Sequence, residues 1–331
     1  MTRWTLHSAT YFCGLLLAAG TTGNSLFAQG VVPGSGVKLA MEDFEDPEWN
    51  FHSGGPKSSY NLDKRVREPL GYSSNGIFYE SSKRGVPEIM QRISPPPAGI
   101  AGSMGALRMK SQYTGIPGHP SFITQQDDAL MDLSAQMGDS IPVSWSPSAV
   151  VRVYMPPFEE WEAKSGSSFG MRCQVTGMGP DEPEEGENLR RRGLFGLFGS
   201  RSFNPNRRVW DTFYPSFFIN FNSKADGNKK DSAEFIIRGS NSNKDYTALE
   251  IKETGWWTLG ISFTPDGRAH YYASPGVDDL TESDHIASHY PQGVRVQYFN
   301  SFYFNVCNQD FGEWSTKWII DDPTVFALNG N

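Results

Sequence analysis

Four carboxylates stand near the two ends of the chain in a pattern that could bind a cation. Glu45 and Asp46 follow the first strand-like run, and Asp321 and Asp322 lie inside the last one. Calcium binds six to eight hard oxygens, which carboxylates and backbone carbonyls supply. If the first and last strands are neighbours in a sheet, these acids meet and predict a structural calcium ion. The alternative is that they cap strand ends or pair with Lys and Arg.

Paired aromatic residues indicate a second kind of site, for a carbohydrate. Trp256 and Trp257 lie on one strand-like run, and Tyr271 and Tyr272 lie on the next. Because neighbouring residues of a strand face opposite sides, one ring of each pair should point away from the core. Exposed rings would offer flat apolar surfaces to the C–H faces of sugars. The predicted ligand-binding residues are Trp256, Trp257, Arg268, His270, Tyr271 and Tyr272.

The segment that carries these aromatic residues has the sequence of a β-hairpin. Trp256–Phe263 is rich in aromatic and β-branched residues, and Thr264–Gly267 places Pro and Gly where a tight turn needs them. Arg268–Ala273 then forms the second strand, with His270 on the same face as Tyr272. The alternative to a ligand face is a central core hairpin whose two faces are both covered by loops.

Strand signals dominate the rest of the sequence. Short runs rich in β-branched and aromatic residues recur between Gly and Pro turns, for example at 149–155, 169–175 and 294–306. Few helices are predicted: Asp128–Met137, which begins with an acidic residue and precedes Gly138, and a single turn at Pro157–Ala163. This pattern predicts an all-β fold, a two-sheet antiparallel jelly-roll sandwich with long loops.

Three motifs resemble the concanavalin A-like lectin/glucanase superfamily, whose domains are jelly rolls. They are the acidic opening Phe44-Glu45-Asp46 before Trp49, the closing run Trp318–Asp322 and the hairpin at 256–268. Within that superfamily, the hairpin and the run at 141–157 are most similar to a group of exported bacterial proteins. The galactose-binding jelly roll shares the acidic ends and is the second resemblance. The first resemblance implies a carbohydrate ligand and a calcium ion near the joined ends.

Enzymes of the same superfamily carry motifs that this sequence lacks. Its retaining glycosidases have two carboxylates on one strand with the spacing E-x-D-x-x-E, which is absent here. Its polysaccharide lyases use Arg, Gln, His and Tyr, which occur around Arg238 and His270 but with a different spacing. His285 and His289, four residues apart, would share a helix face as zinc ligands, but their polar surroundings predict a loop.

We therefore predict an exported, non-catalytic protein that binds a polysaccharide or a cell-surface glycan or interacts at the cell surface. The alternatives are a polysaccharide lyase or glycoside hydrolase without the usual motifs, or a purely structural envelope protein. The chain has 37 acidic and 29 basic residues, a net charge of −8. This charge excludes nucleic acid as a partner, because neutralising phosphates needs clustered basic side chains.

Composition divides the chain into segments. Residues 1–28 are predicted to be a signal peptide, with a basic start and an apolar stretch too short to span a bilayer. Residues 29–36 are predicted to be flexible and 37–328 to form the jelly-roll domain. Within it, 178–208 is predicted to be a disordered insertion, because its charged and Gly-rich sequence buries little apolar surface. The mature protein would be secreted, periplasmic or at the cell surface, without a transmembrane segment.

Two cysteines lie in the predicted mature chain, Cys173 and Cys307, both in strand-like runs. An exported protein can form disulfides. The sequence leaves a single disulfide and two separately buried thiols equally open, since it does not set the distance between the two Cα atoms.

Overall fold

A computed structural model describes most of the chain. Two predicted segments fall outside it, the signal peptide at 1–28 and residues 181–206 of the insertion. The described residues are 30–58, 62–63, 67–112, 114–116, 118–121, 123–180, 207–242, 244–310 and 313–329.

Strands make up nearly all of the regular structure among the described residues. In chain order they are β1 Val37–Met41, β2 Phe51–His52, β3 Tyr72–Ser73, β4 Phe78–Tyr79, β5 Ile89–Ile93, β6 Ala106–Lys110, β7 Gln125–Met131, β8 Ile141–Pro142, β9 Ser148–Met155, β10 Gly166–Pro180, β11 Arg208–Phe213, β12 Ser216–Asn222, β13 Ser232–Arg238, β14 Tyr246–Ile251, β15 Gly255–Phe263, β16 Ala269–Pro275, β17 His285–His289, β18 Val296–Asn308 and β19 Trp318–Ala327. The helical segments are α1 Ser134–Met137 and the short 3-10 turns Val143–Trp145, Phe158–Glu160, Lys224–Asp226, Glu282–Asp284 and Pro291–Gly293.

These strands form two antiparallel sheets. The smaller sheet has eight strands in the order β17-β16-β15-β9-β19-β6-β5, with β1 paired to β19. The larger sheet has eleven strands in the order β14-β13-β12-β10-β18-β7-β4-β3-β2, with β11 paired to β10 and β8 paired to β18. The predicted all-β, two-sheet antiparallel jelly-roll sandwich is confirmed.

The two ends of the domain lie side by side, as the acidic end motifs predict. β1 pairs with β19 in an antiparallel register that sets Val37 opposite Ala327 and Met41 opposite Thr324. The register of β19 against β9 shifts between Asp321 and Thr324. This irregularity, with Asp322 at a φ of 46°, directs the two neighbouring carboxylates to different surroundings.

The predicted hairpin is confirmed in its strands and in its turn. β15 pairs with β16, with Ile261 opposite Tyr271. The turn closes through a 2.8 Å hydrogen bond from the Gly267 amide to the Thr264 carbonyl. Gly267 has a φ of 83°, and a Cβ atom there would lie 2.6 Å from the Val296 carbonyl oxygen. Glycine is therefore required at this turn by conformation and by space.

Aromatic rings from both sheets fill the space between them. Trp318 of β19 is fully buried, with its ring centroid 4.9 Å from those of Trp161 and Phe169. Its indole N–H donates a 3.1 Å hydrogen bond to the Ser168 hydroxyl. Trp318 of the smaller sheet therefore packs against residues of the larger sheet and of the loop between β9 and β10.

The helix predicted at Asp128–Met137 is mostly wrong. Gln125–Met131 is strand β7, and the helix covers only Ser134–Met137. Asp128 lies opposite Asn305 of β18 in the ladder. Strand pairing therefore overrides the local helix signal, as tertiary context commonly does.

The two cysteines are free thiols, which decides between the alternatives left open above. Cys173 and Cys307 are both buried. Cys173 packs in the core, whereas Cys307 lies two residues beyond Asn305 on β18, with its side chain on the opposite side of the sheet. Side chains on opposite faces of one sheet cannot reach the Cβ separation that a disulfide requires.

Residues 30–36, predicted to be a flexible N-terminus, lie against the smaller sheet. The Gly34 amide donates a 3.2 Å hydrogen bond to the Ser148 hydroxyl, and the Val31 carbonyl accepts one from Ser262. In the insertion predicted to be disordered at 178–208, residues 178–180 and 208 instead belong to strands, with Pro180 opposite Arg208. No helix in the described part of the chain is long and apolar enough to cross a bilayer.

Replacing Trp318 with Ala should lower the free energy of unfolding by about 3–5 kcal/mol, because it empties a closely packed aromatic site. Trp314→Ala is the matched control, since Trp314 is 38% exposed and makes a surface contact with Lys110. Chemical denaturation followed by tryptophan fluorescence and circular dichroism measures both. Equal losses in the two variants would contradict the assigned core.

Candidate functional site

The outer face of the larger sheet carries a patch of polar and aromatic side chains. Alternate residues of β10 point into the core, so Arg172 and Thr176 point outward. On the neighbouring strand β18, Tyr303 lies opposite Arg172, and Tyr298 lies opposite Thr176. The register of these two strands therefore sets two adjoining groups on one face, an arginine centre and an aromatic hollow.

The arginine centre consists of Arg172 between two tyrosine rings. Its guanidinium carbon lies 5.1 Å from the ring centroid of Tyr214 and 5.4 Å from that of Tyr303. The two rings meet edge to face, with centroids 6.2 Å apart. Cation–π contact with two rings restrains the guanidinium. Its Nε–H is buried and has no hydrogen-bond partner among the described residues.

A buried carboxylate, Asp128, lies near the arginine centre and acts on Arg172 electrostatically. Its oxygens accept hydrogen bonds from Asn305 at 2.6 Å and Gln126 at 3.1 Å, and Arg84 lies 3.4 Å away. Desolvation raises the pKa of Asp128, while the charges of Arg84 and Arg172 oppose that shift. The carboxylate thus fixes its neighbours and compensates part of their positive charge.

The two tyrosines carry their protons at neutral pH. Burial raises the pKa of the Tyr303 hydroxyl well above its usual range, although Arg172 acts in the opposite direction. Burial likewise raises the pKa of Tyr214. A protonated phenol donates and accepts hydrogen bonds but does not abstract a proton, so this arrangement suits binding better than base catalysis.

The aromatic hollow lies further along β10 and β18, where β11 pairs with β10. Trp210 and Tyr298 are 55% and 39% exposed, and their ring centroids are 5.9 Å apart. They line a hollow of about 280 Å³, whose other walls are Ser140, Thr176 and Asn300. The Thr176 hydroxyl donates a 2.7 Å hydrogen bond to the Asn300 amide oxygen, leaving that amide's N–H groups for a ligand. Flat rings beside amide and hydroxyl groups match the surfaces of a sugar.

The hairpin predicted to bind the ligand is covered on both faces. Trp257 and Tyr271 point into the core, and Trp256 and Tyr272 point outward, as the alternation predicts. All four rings are nevertheless buried. The expectation of exposed rings here is therefore wrong.

Distant segments cause this burial. The Trp256 indole N–H contacts the Pro96 carbonyl at 3.4 Å, in the loop between β5 and β6. Gly30 lies over His270 and Tyr272, where a Cβ atom would come within 2.8 Å of both side chains. Arg268 precedes the strand and stacks on Tyr290 instead, with 5.0 Å between guanidinium carbon and ring centroid. The ligand role of these six hairpin residues stays a prediction, and the burial of their rings gives it no support.

The acidic residues at the joined ends come together only in part. Glu45 and Asp322 each act electrostatically on Asp321, which is buried. Asp46 instead accepts a 2.9 Å hydrogen bond from the Glu48 amide and closes a local turn. In the described ranges, no three His, Cys, Asp or Glu side chains form a group that could hold a metal.

The oxygens of this corner face hydrogen-bond donors. Asp321 accepts from the Ser103 hydroxyl at 2.9 Å and from the Asp322 amide at 2.9 Å, and Glu45 accepts from the Met104 amide at 2.9 Å. Arg92 donates to the Phe44 carbonyl at 2.6 Å, where a cation would otherwise find an oxygen ligand. This arrangement does not fit the coordination sphere of calcium. Calcium bound by Glu45, Asp46, Asp321 and Asp322 stays a prediction.

Sequence reasoning missed the arginine centre. Arg172, Tyr214, Tyr303 and Asp128 are far apart in the chain, and nothing in their local sequence distinguishes them from other strand residues. The sequence does offer a signal for Trp210 and Tyr298, since both are aromatic residues in strands among polar neighbours. Choosing them over the hairpin rings required knowing which loops cover which sheet.

Comparison with known proteins gives only distant structural likenesses. No family model matches the chain, and no curated protein matches its sequence. An endo-β-1,4-glucuronan lyase from the fungus Trichoderma reesei is 10% identical, with a TM-score of 0.37 over 88% of this chain and 96% of that one. The marine PL7 alginate lyase AlyA1 from Zobellia galactanivorans is 9% identical, with a TM-score of 0.33 over 87% and 95%. The binding domain of botulinum neurotoxin serotype G is 9% identical, with a TM-score of 0.33 over 89% and 49%. Likeness this distant carries no argument about activity.

Asp321 should make the protein less stable as the pH rises. Burial, with the nearby charges of Asp322 and Glu45, raises the pKa of Asp321 from 3.8 to about 7. The folded state therefore holds this proton when the unfolded state has lost it, and stability falls between roughly pH 4 and pH 7 by up to about 4 kcal/mol. Asp321→Asn should remove this fall, because an amide mimics the protonated acid.

Denaturation midpoints of both proteins from pH 4 to pH 8, with and without EDTA, measure the effect. The same pH slope in wild type and variant would contradict the role assigned to Asp321. A bound calcium ion would instead remove the contribution of Asp321 to the wild-type slope and make the midpoint depend on EDTA, so this titration also tests the calcium prediction.

Proposed function

We propose that this protein binds a polysaccharide or a cell-surface glycan on the outer face of its larger sheet and does so without catalysis. The observation that carries the proposal is the exposed Trp210–Tyr298 pair above a hollow of about 280 Å³. Large aromatic rings left in solvent next to Asn300 and Thr176 cost hydrophobic free energy that a stacked sugar ring would recover.

The adjoining arginine centre sets the preference of this face for acidic sugars. Arg172 lies on the face that carries the hollow, and Tyr214 and Tyr303 add phenol groups. A guanidinium binds a carboxylate by a charge-assisted hydrogen bond, which is stronger than a neutral one. The proposed ligand is a glycan with carboxylated residues spaced between neutral ring faces.

A second candidate function is cleavage of such a glycan by β-elimination. The grouping of Arg172, Tyr303 and Asn305 with Asp128 favours it, because a lyase must neutralise a carboxylate and move protons nearby. The raised pKa values of Tyr303 and Tyr214 disfavour it, because neither phenol is ionised at neutral pH. Binding without catalysis therefore remains the first proposal.

We also propose that the protein is exported, to the periplasm, the cell surface or the medium. The support is the predicted signal peptide at 1–28. Mass spectrometry of the N-terminus of protein recovered from those fractions tests it.

Trp210→Ala should weaken glycan binding at least tenfold, about 1.4 kcal/mol, and leave the unfolding midpoint unchanged. Trp314→Ala is the control, since it removes an exposed indole on another part of the surface. A glycan array identifies the ligand, and calorimetry with that ligand compares the three proteins. Equal affinity of wild type and Trp210→Ala would refute the aromatic hollow as the binding site.

Arg172→Gln should weaken binding of acidic glycans about tenfold and change binding of neutral glycans little, because it removes one charge-assisted hydrogen bond. The salt dependence of binding should fall as well. Incubating wild type with acidic polysaccharides should give no ultraviolet absorbance from unsaturated uronates. Such absorbance, lost in Tyr303→Phe, would overturn the non-catalytic proposal in favour of the lyase.

A further inference from the structure

Strand β17 has an irregular register that brings two distant histidines together on the outer face of the smaller sheet. Ala287 lies opposite Tyr271, but Tyr272 lies opposite His285, so one residue of β17 is left out of the pairing. The bulge turns His285 to the face of His270, and their ring centroids are 6.2 Å apart. His289 points the other way and stacks on Tyr271 in the core.

The two outward imidazoles converge on one hydroxyl. His285 Nε2 lies 2.6 Å from Ser288 Oγ, and His270 Nδ1 lies 2.7 Å from the same oxygen. Ser288 is half-buried, His270 is buried, and His285 is exposed. The pair therefore faces solvent on the His285 side, while Gly30 lies against His270 Nδ1.

The proton on His270 is fixed on its far nitrogen. His270 Nε2 lies 2.9 Å from Thr264 Oγ1, and Thr264 Oγ1 lies 2.6 Å from Asp266 Oδ1. Because an ionised carboxylate only accepts, Thr264 donates its proton to Asp266 and accepts the Nε2–H of His270. His270 Nδ1 then directs a lone pair at Ser288.

His285 also presents a lone pair to Ser288 in one of its two neutral tautomers. Ser288 offers one hydroxyl proton to two lone pairs. A hydrogen bond to one imidazole therefore leaves the other without a partner.

A metal cation would satisfy both lone pairs. We propose that His270 Nδ1 and His285 Nε2 bind a divalent transition-metal ion such as Zn²⁺, Ni²⁺ or Cu²⁺. Imidazole nitrogen is a preferred ligand of these ions, and the Thr264–Asp266 chain orients His270 as outer partners orient metal-binding histidines. Ser288 rotates about its single side-chain bond to make room and places its hydroxyl beside the ion. Water or a ligand fills the remaining positions.

This site lies on the sheet opposite the proposed glycan face and does not depend on that proposal. It holds two histidines and a hydroxyl, and so differs from the clusters of three or more His, Cys, Asp or Glu that the described residues lack. The Tyr272 hydroxyl also lies near this site, because a Cβ atom built on Gly30 would be within 2.8 Å of both that hydroxyl and His270 Nδ1.

Calorimetric titration of the metal-free mature protein with ZnCl₂ and NiCl₂ tests the proposal. One ion should bind per protein, and His285→Ala should weaken binding at least tenfold. His119→Ala is the matched control, since it removes an exposed histidine elsewhere and should leave the affinity unchanged. Absence of saturable binding, or equal binding by wild type and His285→Ala, would overturn the site.

Thr264→Val separates a built site from a chance pair of histidines. It removes the acceptor of the His270 Nε2–H without touching the metal, and loss of such an outer partner weakens metal binding about 10- to 100-fold. Histidine ring NMR before and after Zn²⁺ should show perturbed signals for His270 and His285 alone. Perturbation of His119 or His289 in their place would contradict the assignment, and unfolding midpoints verify that each variant is folded.

Discussion

The register of strand β10 within the larger sheet is the constraint on which both the core and the candidate site depend. β10 is 15 residues long and pairs with β12 and β11 on one side and β18 on the other. Phe169 faces the core and Arg172 faces solvent because they are an odd number of positions apart. A slip of one residue would bury the guanidinium and expose the phenyl ring, a change of many kcal/mol. The free energy that packs the core thus also orients the arginine centre.

The sequence predicts features that depend on local alternation and turn chemistry. The hairpin of β15 and β16, its Thr264–Gly267 turn and the inward direction of Trp257 and Tyr271 all follow from neighbouring residues. The adjacent end strands follow from a general property of sandwiches. These features suffice for the fold class, because a two-sheet sandwich is the way to bury one face of many short amphipathic strands.

The candidate site could not be predicted, because coverage of a sheet face is not a local property. Trp256 faces outward as alternation requires, but the Pro96 loop, about 160 residues earlier in the chain, lies over it. Asp128 looks like a helix cap in sequence, although in the fold it is a buried strand residue held by Asn305. Both outcomes are set by contacts between residues far apart in the chain, which propensity and spacing do not encode.

The central position of β19 in the smaller sheet has a consequence for how the chain reaches its final form. Because β19 lies between β9 and β6 and also pairs with β1, the sheet is in three unconnected parts until residues 318–327 arrive. A ribosome or an export channel releases those residues after the strands that precede them in the chain. The sandwich therefore closes only after β19 has emerged, and a nonsense mutation just before Trp318 removes a central strand instead of trimming an edge.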